Sequence, residues 1–276
     1  MGWVHAESAF VSALTRVSPL FELQQGDAPV LVCSFPGSMA TKEERSAAVA
    51  PALEALRQDG LVPGWRDELY PCTPLAEGSV ADFHPRLALP LLPVPEGALF
   101  ELERAVATRL GIAQFGVHVN VFSRAADGTP SVWVARRSPT KQTWPDHYDQ
   151  CVAGGLAAGE DVALCAEREC AEEASIDVDR DAVAPLRATS FVSYARLDDA
   201  RATTHGLPGV WLDYNYIFDV EVDASFVPTA ADGEVASFER VDADVLRRRL
   251  AVAEGDRGAQ GAELPHFTPA ALLANV

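Results

Sequence analysis

The sequence predicts an α+β protein built from two parts, and two observations carry this prediction. The chain has 276 residues, more than one average domain, and 48% of them are hydrophobic, which is enough to bury a core. Helix-like stretches dominate before Gly111, whereas alternating strand-like stretches follow it. We therefore expect a smaller α+β N-terminal domain over residues 1–111 and a larger domain over residues 112–276.

The N-terminal part is predicted to contain one strand and two helices. Residues 29–35 have the apolar composition of a strand. Thr41 and Glu44 have the spacing of a capping box, which predicts a helix that starts there and stops near Asp59. A second helix is predicted over residues 98–110, after a proline-rich connector at 87–97 that excludes regular structure.

The second part is predicted to open with a β-hairpin. Residues 117–122 alternate in polarity, 126–129 form a turn signal, and 131–137 supply the second strand. A polar loop follows, and Asp161 is a suitable N-cap for a helix that runs to about Ala174. The remaining predicted elements are strands at 190–196 and 214–222 and helices at 242–252 and 268–275.

The composition excludes several classes of function. Acidic residues outnumber basic ones by 40 to 22, giving a net charge of −18, so Coulomb repulsion disfavours nucleic acid and anionic membranes as partners. The five cysteines contain no C-x-x-C pair, which argues against structural zinc and favours reduced thiols in the cytoplasm. No apolar run is long enough to span a membrane, and the first residues lack the basic segment of a signal peptide.

Three carboxylates stand out within this excess of negative charge. Glu169, Glu172 and Glu173 occupy positions i, i+3 and i+4 of the predicted helix and share one face. Their mutual repulsion would be relieved by a divalent cation, and Mg²⁺ prefers such oxygen ligands. A solvated helix face is the ordinary interpretation of such a run, but the glycine-rich loop that precedes it favours a site. A neighbouring stripe of small residues would let the helix pack closely on a sheet: Ala163, Ala166, Cys170 and Ala174.

The same stretch resembles a known family signature. The Nudix box has the pattern G-x5-E-x7-R-E-U-x-E-E-x-G-U, where U is a bulky apolar residue. The chain matches it at Gly154, Glu160, Arg168, Glu169, Glu172, Glu173 and Ile176. Cys170 takes the first apolar position, and Ser175 stands where the pattern has glycine. Serine can cap or turn at that position at modest cost.

Other stretches are similar to the thiamine-pyrophosphokinase-related Nudix hydrolases, in which a smaller N-terminal α+β domain precedes the Nudix domain. The resemblance covers about residues 60–276 and is weak or absent over the first forty. The similar stretches are 64–72, 116–122, 133–155, 191–194 and 232–238. Members of that family often have asparagine after Asp149, where this chain has Gln150.

The resemblance implies a fold, a reaction and a set of site residues. The fold would be a Nudix α/β/α sandwich with a mixed sheet. The reaction would be Mg²⁺- or Mn²⁺-dependent hydrolysis of a small organic diphosphate, with thiamine diphosphate or its oxidised analogues favoured. The implied metal ligands are Glu169, Glu172, Glu173 and the carbonyl of Ala153, with Glu172, Glu173, Glu234 and Arg168 as catalytic residues and Gly154 and Glu160 as structural ones.

The substrate would need positive charge and an apolar wall. Arg136, Arg137 and Lys141 are the nearest predicted cations for the phosphates. Candidate aromatic contacts for a heterocycle are Trp144, Tyr148, Trp211, Tyr214 and Tyr216. The loop at 198–213 resembles a segment that sets specificity or covers the site, although it is equally consistent with a simple connection.

Three other functions stay open from the sequence. Hydrolysis of ADP-ribose or a nucleotide sugar is the alternative within the enzymes, because a fold does not fix its substrate. A non-catalytic ligand sensor would keep the fold, but it would not need three repelling carboxylates. An isomerase of prenyl diphosphates would need a catalytic cysteine, and no cysteine here has suitable partners. We expect a small-molecule diphosphate as the ligand and a monomer or homodimer as the assembly.

Overall fold

A computed structural model describes most of the chain. The described residues are 9–26, 30–73, 97–141, 144–198, 209–231 and 233–255. Most of the predicted proline-rich connector, the predicted helix at 268–275 and residues 199–208 of the predicted specificity loop lie outside these ranges.

The N-terminal elements form two small antiparallel sheets packed with helices. In chain order they are α1 (Ala9–Val17), β1 (Phe21–Gln24), β2 (Val30–Cys33), α2 (Lys42–Gln58), β3 (Leu69–Cys72), β4 (Phe100–Glu103) and α3 (Arg104–Ala107). Strand β1 pairs with β2, and β3 pairs with β4. The capping box is confirmed, because Glu44 N–H donates to Thr41 Oγ1 at 3.2 Å and Thr41 N–H donates to Glu44 Oε2 at 3.0 Å.

The predicted helix over residues 98–110 is wrong in its first half. Residues 100–103 form β4, and only the single turn of α3 follows. Phe100 and Leu102 are buried while Glu101 between them is partly exposed, and Leu102 is opposite Tyr70 of β3. Pairing with a distant strand therefore outweighs the local helix propensity.

A mixed seven-stranded sheet organises the second part. Its elements are β5 (Ala113–Arg124), β6 (Pro130–Arg137), β7 (Tyr148–Gln150), β8 (Val152–Gly155), α4 (Val162–Ala174), β9 (Arg187–Asp198), β10 (Gly209–Glu221), β11 (Val235–Asp242) and α5 (Ala243–Gly255). The strand order is β11-β6-β5-β10-β9, with β7 paired to β6 and β8 paired to β5. Only β5 and β10 run parallel, and the other pairs within the described sheet are antiparallel.

Helices cover both faces of this sheet. Along β6, Trp133 packs into the cluster that contains the buried face of α4, whereas its neighbour Val134 packs with Leu246 and Leu250 of α5. Successive strand residues point to opposite faces, so α4 and α5 lie on opposite sides. The predicted α/β/α sandwich with a mixed sheet is confirmed, as are the predicted hairpin and the helix after Asp161.

Small side chains allow α4 to approach the sheet closely. Ala166, Cys170 and Ala174 are fully buried, as the stripe of small residues predicts, whereas Ala163 at the first turn is partly exposed. The carboxylates of α4 are thereby held near β8, the strand that enters the glycine-rich loop.

The N-terminal part contacts the sheet through backbone as well as side chains. Ala158 N–H donates to the carbonyl of Leu69 at 3.1 Å, and Val210 N–H donates to the carbonyl of Thr108 at 2.9 Å. Tyr70 packs against Gly155 so closely that a Cβ at Gly155 would lie 2.0 Å from the tyrosine Oη. In the described part of the chain, no helix has the length and apolar character needed to cross a membrane.

Helix α4 ends on a residue in a strained conformation. Ser175 has φ +55° and ψ +34°, the left-handed conformation in which glycine has no steric penalty. Its Oγ donates to the carbonyl of Thr229 at 3.0 Å. The position thus needs the backbone freedom of the glycine that the sequence pattern has there.

We expect Ser175→Gly to raise the free energy of unfolding by about 0.5 kcal/mol. Relief of about 1.5 kcal/mol of backbone strain exceeds a combined loss of about 1 kcal/mol from the exposed hydrogen bond and from the greater freedom of glycine in the unfolded chain. Urea denaturation measures the change. Ser175→Ala is the control, because it keeps the strain and loses the hydrogen bond, so it should be less stable than the wild type. A glycine variant no more stable than the alanine variant would contradict this explanation.

Candidate active site

The candidate site is built by the turn from β8 into α4. Asp161 caps the helix by accepting from the N–H groups of Ala163 at 2.9 Å and Leu164 at 3.2 Å. The loop between strand and helix is tightened by Glu160, whose Oε2 accepts from Ala157 N–H at 3.2 Å. The turn thus positions the carboxylate face of α4 against the glycines of β8.

Arg168 connects the loop to the helix. Its Nε and Nη2 donate to the two carboxylate oxygens of Glu160 at 2.8 and 3.1 Å. Its Nη1 donates to Glu169 Oε1 at 2.9 Å and to Glu172 Oε2 at 2.7 Å. The predicted pair with Glu160 is present, and the guanidinium also offsets the repulsion between Glu169 and Glu172.

Two of the three carboxylates are buried. Glu173 is 5% exposed and Glu169 is 9% exposed, while the side chain of Glu172 is 53% exposed. Burial raises the pKa of Glu173 to about 8, against the opposing effect of a 2.8 Å hydrogen bond from Ala153 N–H. Burial likewise raises the pKa of Glu169, with the charge of Arg168 acting in the opposite direction.

Glu169 lies directly against the backbone of β8. A Cβ added at Gly154 would lie 1.9 Å from Glu169 Cδ and 2.0 Å from its Oε1. Only glycine therefore leaves room for this carboxylate against β8. The predicted structural role of Gly154 has a direct steric reason.

The donor set suits a hard divalent cation. Carboxylates of Glu169, Glu172 and Glu173 and the carbonyl of Ala153 are all oxygen ligands, and the cradle at Gly154 holds one of them in place. Within the described ranges, no three acidic, histidine or cysteine side chains converge closely enough to share a cation in this conformation. Arg168 Nη1 bridges Glu169 and Glu172 instead, so a bound cation would have to displace that guanidinium nitrogen.

Glu169 and Glu172 open onto a cavity of about 690 Å³. Most of the residues that the sequence predicts for the site line this cavity: Arg137, Lys141, Trp144, Ala153, Gly154, Glu160, Arg168, Glu169, Glu172 and Glu234. Arg136 and Tyr148 do not line it, and neither does Glu173, which lies buried behind Ala153.

The predicted cations are engaged with acidic partners. Lys141 pairs with Glu234 across the cavity wall, and Arg137 donates to Asp149 at 2.8 Å. Arg136 makes a two-pronged pair with Asp146 at 2.8 Å and lies over the ring of Tyr148 at 5.6 Å. Lys141 and Arg137 thus present their charge to the cavity, whereas Arg136 and Tyr148 contact each other outside its lining.

Of the predicted aromatic contacts, some line the cavity and others lie in the core. Trp144 and Trp211 line the cavity. Tyr214 stacks on Phe115 with ring centroids 5.4 Å apart, and Tyr216 is 2% exposed in the main core cluster. Tyr194, which the sequence reasoning missed, lines the cavity as a further aromatic side chain.

Strands β5 and β10 add polar side chains to the cavity lining that no sequence motif indicated. Gln114, His118, Asp213 and Asn215 line the cavity from β5 and β10. His118 Nδ1 lies 2.7 Å from Gln150 Oε1. The Nε2 of Gln114 is buried and has no hydrogen-bond partner among the described residues, so it is available to an acceptor on a ligand. Strand alternation at 114, 116 and 118 is the only sequence signal for this set.

The N-terminal part also reaches the cavity. Arg66, Glu68, Tyr70 and Arg104 line it, although the sequence reasoning assigned them no role. The first three lie at alternating positions within 64–72, a stretch already noted for its family resemblance, and this alternation was the available signal.

Comparisons with known proteins identify two domain families in the chain. The profile of the NUDIX domain matches residues 114–259, and that of a domain of unknown function (DUF4743) matches residues 1–81. Among solved structures, the E. coli dihydroneopterin triphosphate pyrophosphohydrolase is 16% identical with a TM-score of 0.39, covering 58% of this chain and 91% of that one.

Two curated plant proteins are similar over most of the chain. Nudix hydrolase 24, chloroplastic, of Arabidopsis thaliana is 32% identical over 255 residues, which is 90% of this chain and 60% of that protein. Nudix hydrolase 20, chloroplastic, of the same plant is 31% identical, covering 87% of this chain and 57% of that protein. The chain thus spans little more than half the length of these relatives. With the NUDIX match extending over more than half of its residues, the chain belongs to the Nudix family.

Proposed function

We propose that this protein hydrolyses the phosphoanhydride bond of a small organic diphosphate with the help of Mg²⁺ or Mn²⁺. The observation that carries the proposal is the carboxylate face of α4, held by Arg168 and Gly154 at the wall of a large cavity. Such a cavity combines acidic cation ligands with the positive charges of Lys141 and Arg137, which suits an anionic ligand that arrives with a metal ion.

We propose a role for each group in this reaction. Glu169, Glu172, Glu173 and the Ala153 carbonyl would hold the cation, which when bound would stabilise charge on phosphoryl oxygens and lower the pKa of bound water. Water attacks one phosphorus, the bond to the bridging oxygen breaks, and a monophosphate and phosphate leave. Glu234 is the proposed acceptor of the proton that the water loses, and its pairing with Lys141 positions it at the cavity.

We propose thiamine diphosphate or its oxidised analogues as the substrate. The resemblance to the thiamine-pyrophosphokinase-related Nudix hydrolases supports this choice, and Trp144 and Trp211 in the lining supply apolar faces for a heterocycle. Lys141 and Arg137 are the proposed phosphate contacts. Arg136 and Tyr148 would need to change partners to reach the same ligand. ADP-ribose and nucleotide sugars are the competing substrates.

We also propose that residues 1–111 form an N-terminal accessory domain and residues 112–276 the Nudix domain. Two separate apolar clusters support this division, one extending from Phe10 to Ile112 and the other beginning at Ala113. Five free thiols favour a reducing compartment such as the cytoplasm.

The test is phosphate release from a panel of diphosphates by the purified protein, with Mg²⁺ and then with a chelator. We expect release that requires the metal, and a fall of about 10-fold or more in Glu172→Gln, because the amide loses the charge that binds the cation. Glu167→Gln is the matched control, since Glu167 is an exposed residue of the same helix outside the cavity lining. Full activity in Glu172→Gln would overturn the metal assignment, and binding without any turnover would favour the sensor.

A further inference from the structure

Three side chains of the N-terminal part form one wall of the candidate active site. Arg66 precedes β3, Tyr70 lies in β3, and Arg104 is the first residue of α3, directly after β4. Because β3 and β4 are paired, the three residues meet at one edge of this small sheet. The wall, which we call the arginine wall, is thus built by the region that matches the domain of unknown function and by the strand that follows it.

Arg104 is held in one orientation by its neighbours. Its Nη1 donates to Glu68 Oε2 at 2.8 Å, and its guanidinium carbon lies 5.1 Å from the ring centre of Tyr70. Its backbone N–H donates to the Glu68 carbonyl at 2.8 Å. A guanidinium presents five N–H donors in a rigid plane, and Glu68 occupies only part of them, so Arg104 is prepared for a second acceptor.

The arginine wall lines the same cavity as the proposed metal ligands Glu169 and Glu172. A Cβ at Gly155 would lie 3.0 Å from Arg104 Nη2, and a Cβ at Gly154, on the opposite face of β8, would lie 2.0 Å from Glu169 Oε1. A diphosphate whose one phosphate meets the carboxylate-bound cation would therefore bring its other phosphate towards Arg104.

Arg66 places a second guanidinium in the same wall. Its backbone N–H is fixed by Glu103 Oε1 at 2.9 Å. Arg66 and Arg104 line the same cavity. Partial desolvation and repulsion by Arg104 lower the pKa of Arg66, and Glu68 in the same lining offsets part of this repulsion. An anion bound between them would remove this repulsion, and a doubly charged terminal phosphate would do so better than a singly charged internal one.

We propose that Arg104 and Arg66 bind the terminal phosphate of the substrate, so that the N-terminal part supplies a phosphate subsite to the Nudix active site. This inference rests on the proposed function and narrows it. It selects diphosphates with a free terminal phosphate, such as thiamine diphosphate, over internal diphosphates such as ADP-ribose.

Binding of a non-hydrolysable diphosphate tests the subsite independently of turnover. We expect methylenediphosphonate, titrated calorimetrically in the presence of Mg²⁺, to bind Arg104→Gln about 10- to 100-fold more weakly, the range for one charge-assisted hydrogen bond. Arg66→Gln should weaken binding in the same direction. Arg247→Gln is the matched control, because Arg247 has a comparable ion pair with Asp244 at 2.8 Å on α5, outside the cavity lining.

Kinetics with two substrates tests the selectivity. In Arg104→Gln we expect KM for thiamine diphosphate to rise more than KM for ADP-ribose, with the Mg²⁺-induced rise in melting temperature unchanged. Unchanged affinity for methylenediphosphonate in both arginine variants, or a wild-type protein that does not bind it, would overturn the subsite. Equal losses on both substrates would overturn the terminal-phosphate assignment. Binding without turnover by the wild type would refute the proposed hydrolysis and leave the subsite supported.

Discussion

Gly154→Ala is expected to lower kcat/KM about 100-fold while the protein stays folded. The added Cβ would lie 1.9 Å from Glu169 Cδ and 2.3 Å from its Cγ, so the side chain of Glu169 must move away from β8. Displacing one charged metal ligand costs about 3 kcal/mol of transition-state stabilisation, which corresponds to a fall of about 100-fold in kcat/KM. The stability loss should be smaller, about 1 to 2 kcal/mol, because the clash falls on the far end of a flexible side chain.

Steady-state kinetics and thermal unfolding together measure this prediction. Gly37→Ala is the control, since a Cβ at Gly37 would meet no atom within 4 Å. A double-mutant cycle with Glu169→Gln adds a sharper criterion, because Gly154→Ala should have little further effect once the charge of Glu169 is gone. Additive losses in the double variant would show that the glycine acts by another route.

Glu173→Gln is expected to reduce kcat about 1000-fold, the larger of the two effects. Glu173 is 5% exposed and accepts a 2.8 Å hydrogen bond from Ala153 N–H. Glutamine keeps the size and can keep accepting this bond through its amide oxygen, so the fold should survive. The amide cannot supply the negative charge that would hold the cation, which removes about 4 kcal/mol of stabilisation.

The response of stability to Mg²⁺ separates lost metal binding from lost structure. A cation that binds only the folded state raises the melting temperature, so the wild type should be stabilised by Mg²⁺ and Glu173→Gln should not. Without metal the two proteins should melt at similar temperatures. If Glu173→Gln retains the wild-type Mg²⁺ response, Glu173 is not a metal ligand.

In the carboxylate site, residue spacing predicts which side chains share a helix face but not which of them are buried. The spacing of Glu169, Glu172 and Glu173 predicts one helix face, and the Arg168–Glu160 pair also follows from the sequence. Burial does not follow from it, since two of the carboxylates are buried and Glu172 is largely exposed. That difference arises from the angle at which α4 packs on β8, which depends on contacts with residues distant in the chain.

At the end of β6 and in the loop after it, the sequence does not distinguish the cations that reach the cavity from the one that does not. The sequence indicates Arg136, Arg137 and Lys141 as cations near the site, but only Arg137 and Lys141 line the cavity. Strand alternation sends neighbouring side chains to opposite faces, and Arg136 pairs with Asp146 instead. The predicted helix over residues 98–110 fails for a related reason, because pairing of β4 with β3 is a non-local contact.

The resemblance to the Nudix box implied the family and the α/β/α class. The sequence by itself determined the carboxylate helix and its glycine-rich entry. These features depend on residues within about twenty positions of one another, where spacing and periodicity translate directly into geometry. Only the tertiary structure revealed that Arg66, Tyr70 and Arg104 share a cavity with Glu169. This shared cavity depends on packing between the two apolar clusters, which involves residues far apart in the chain and therefore does not follow from local sequence patterns.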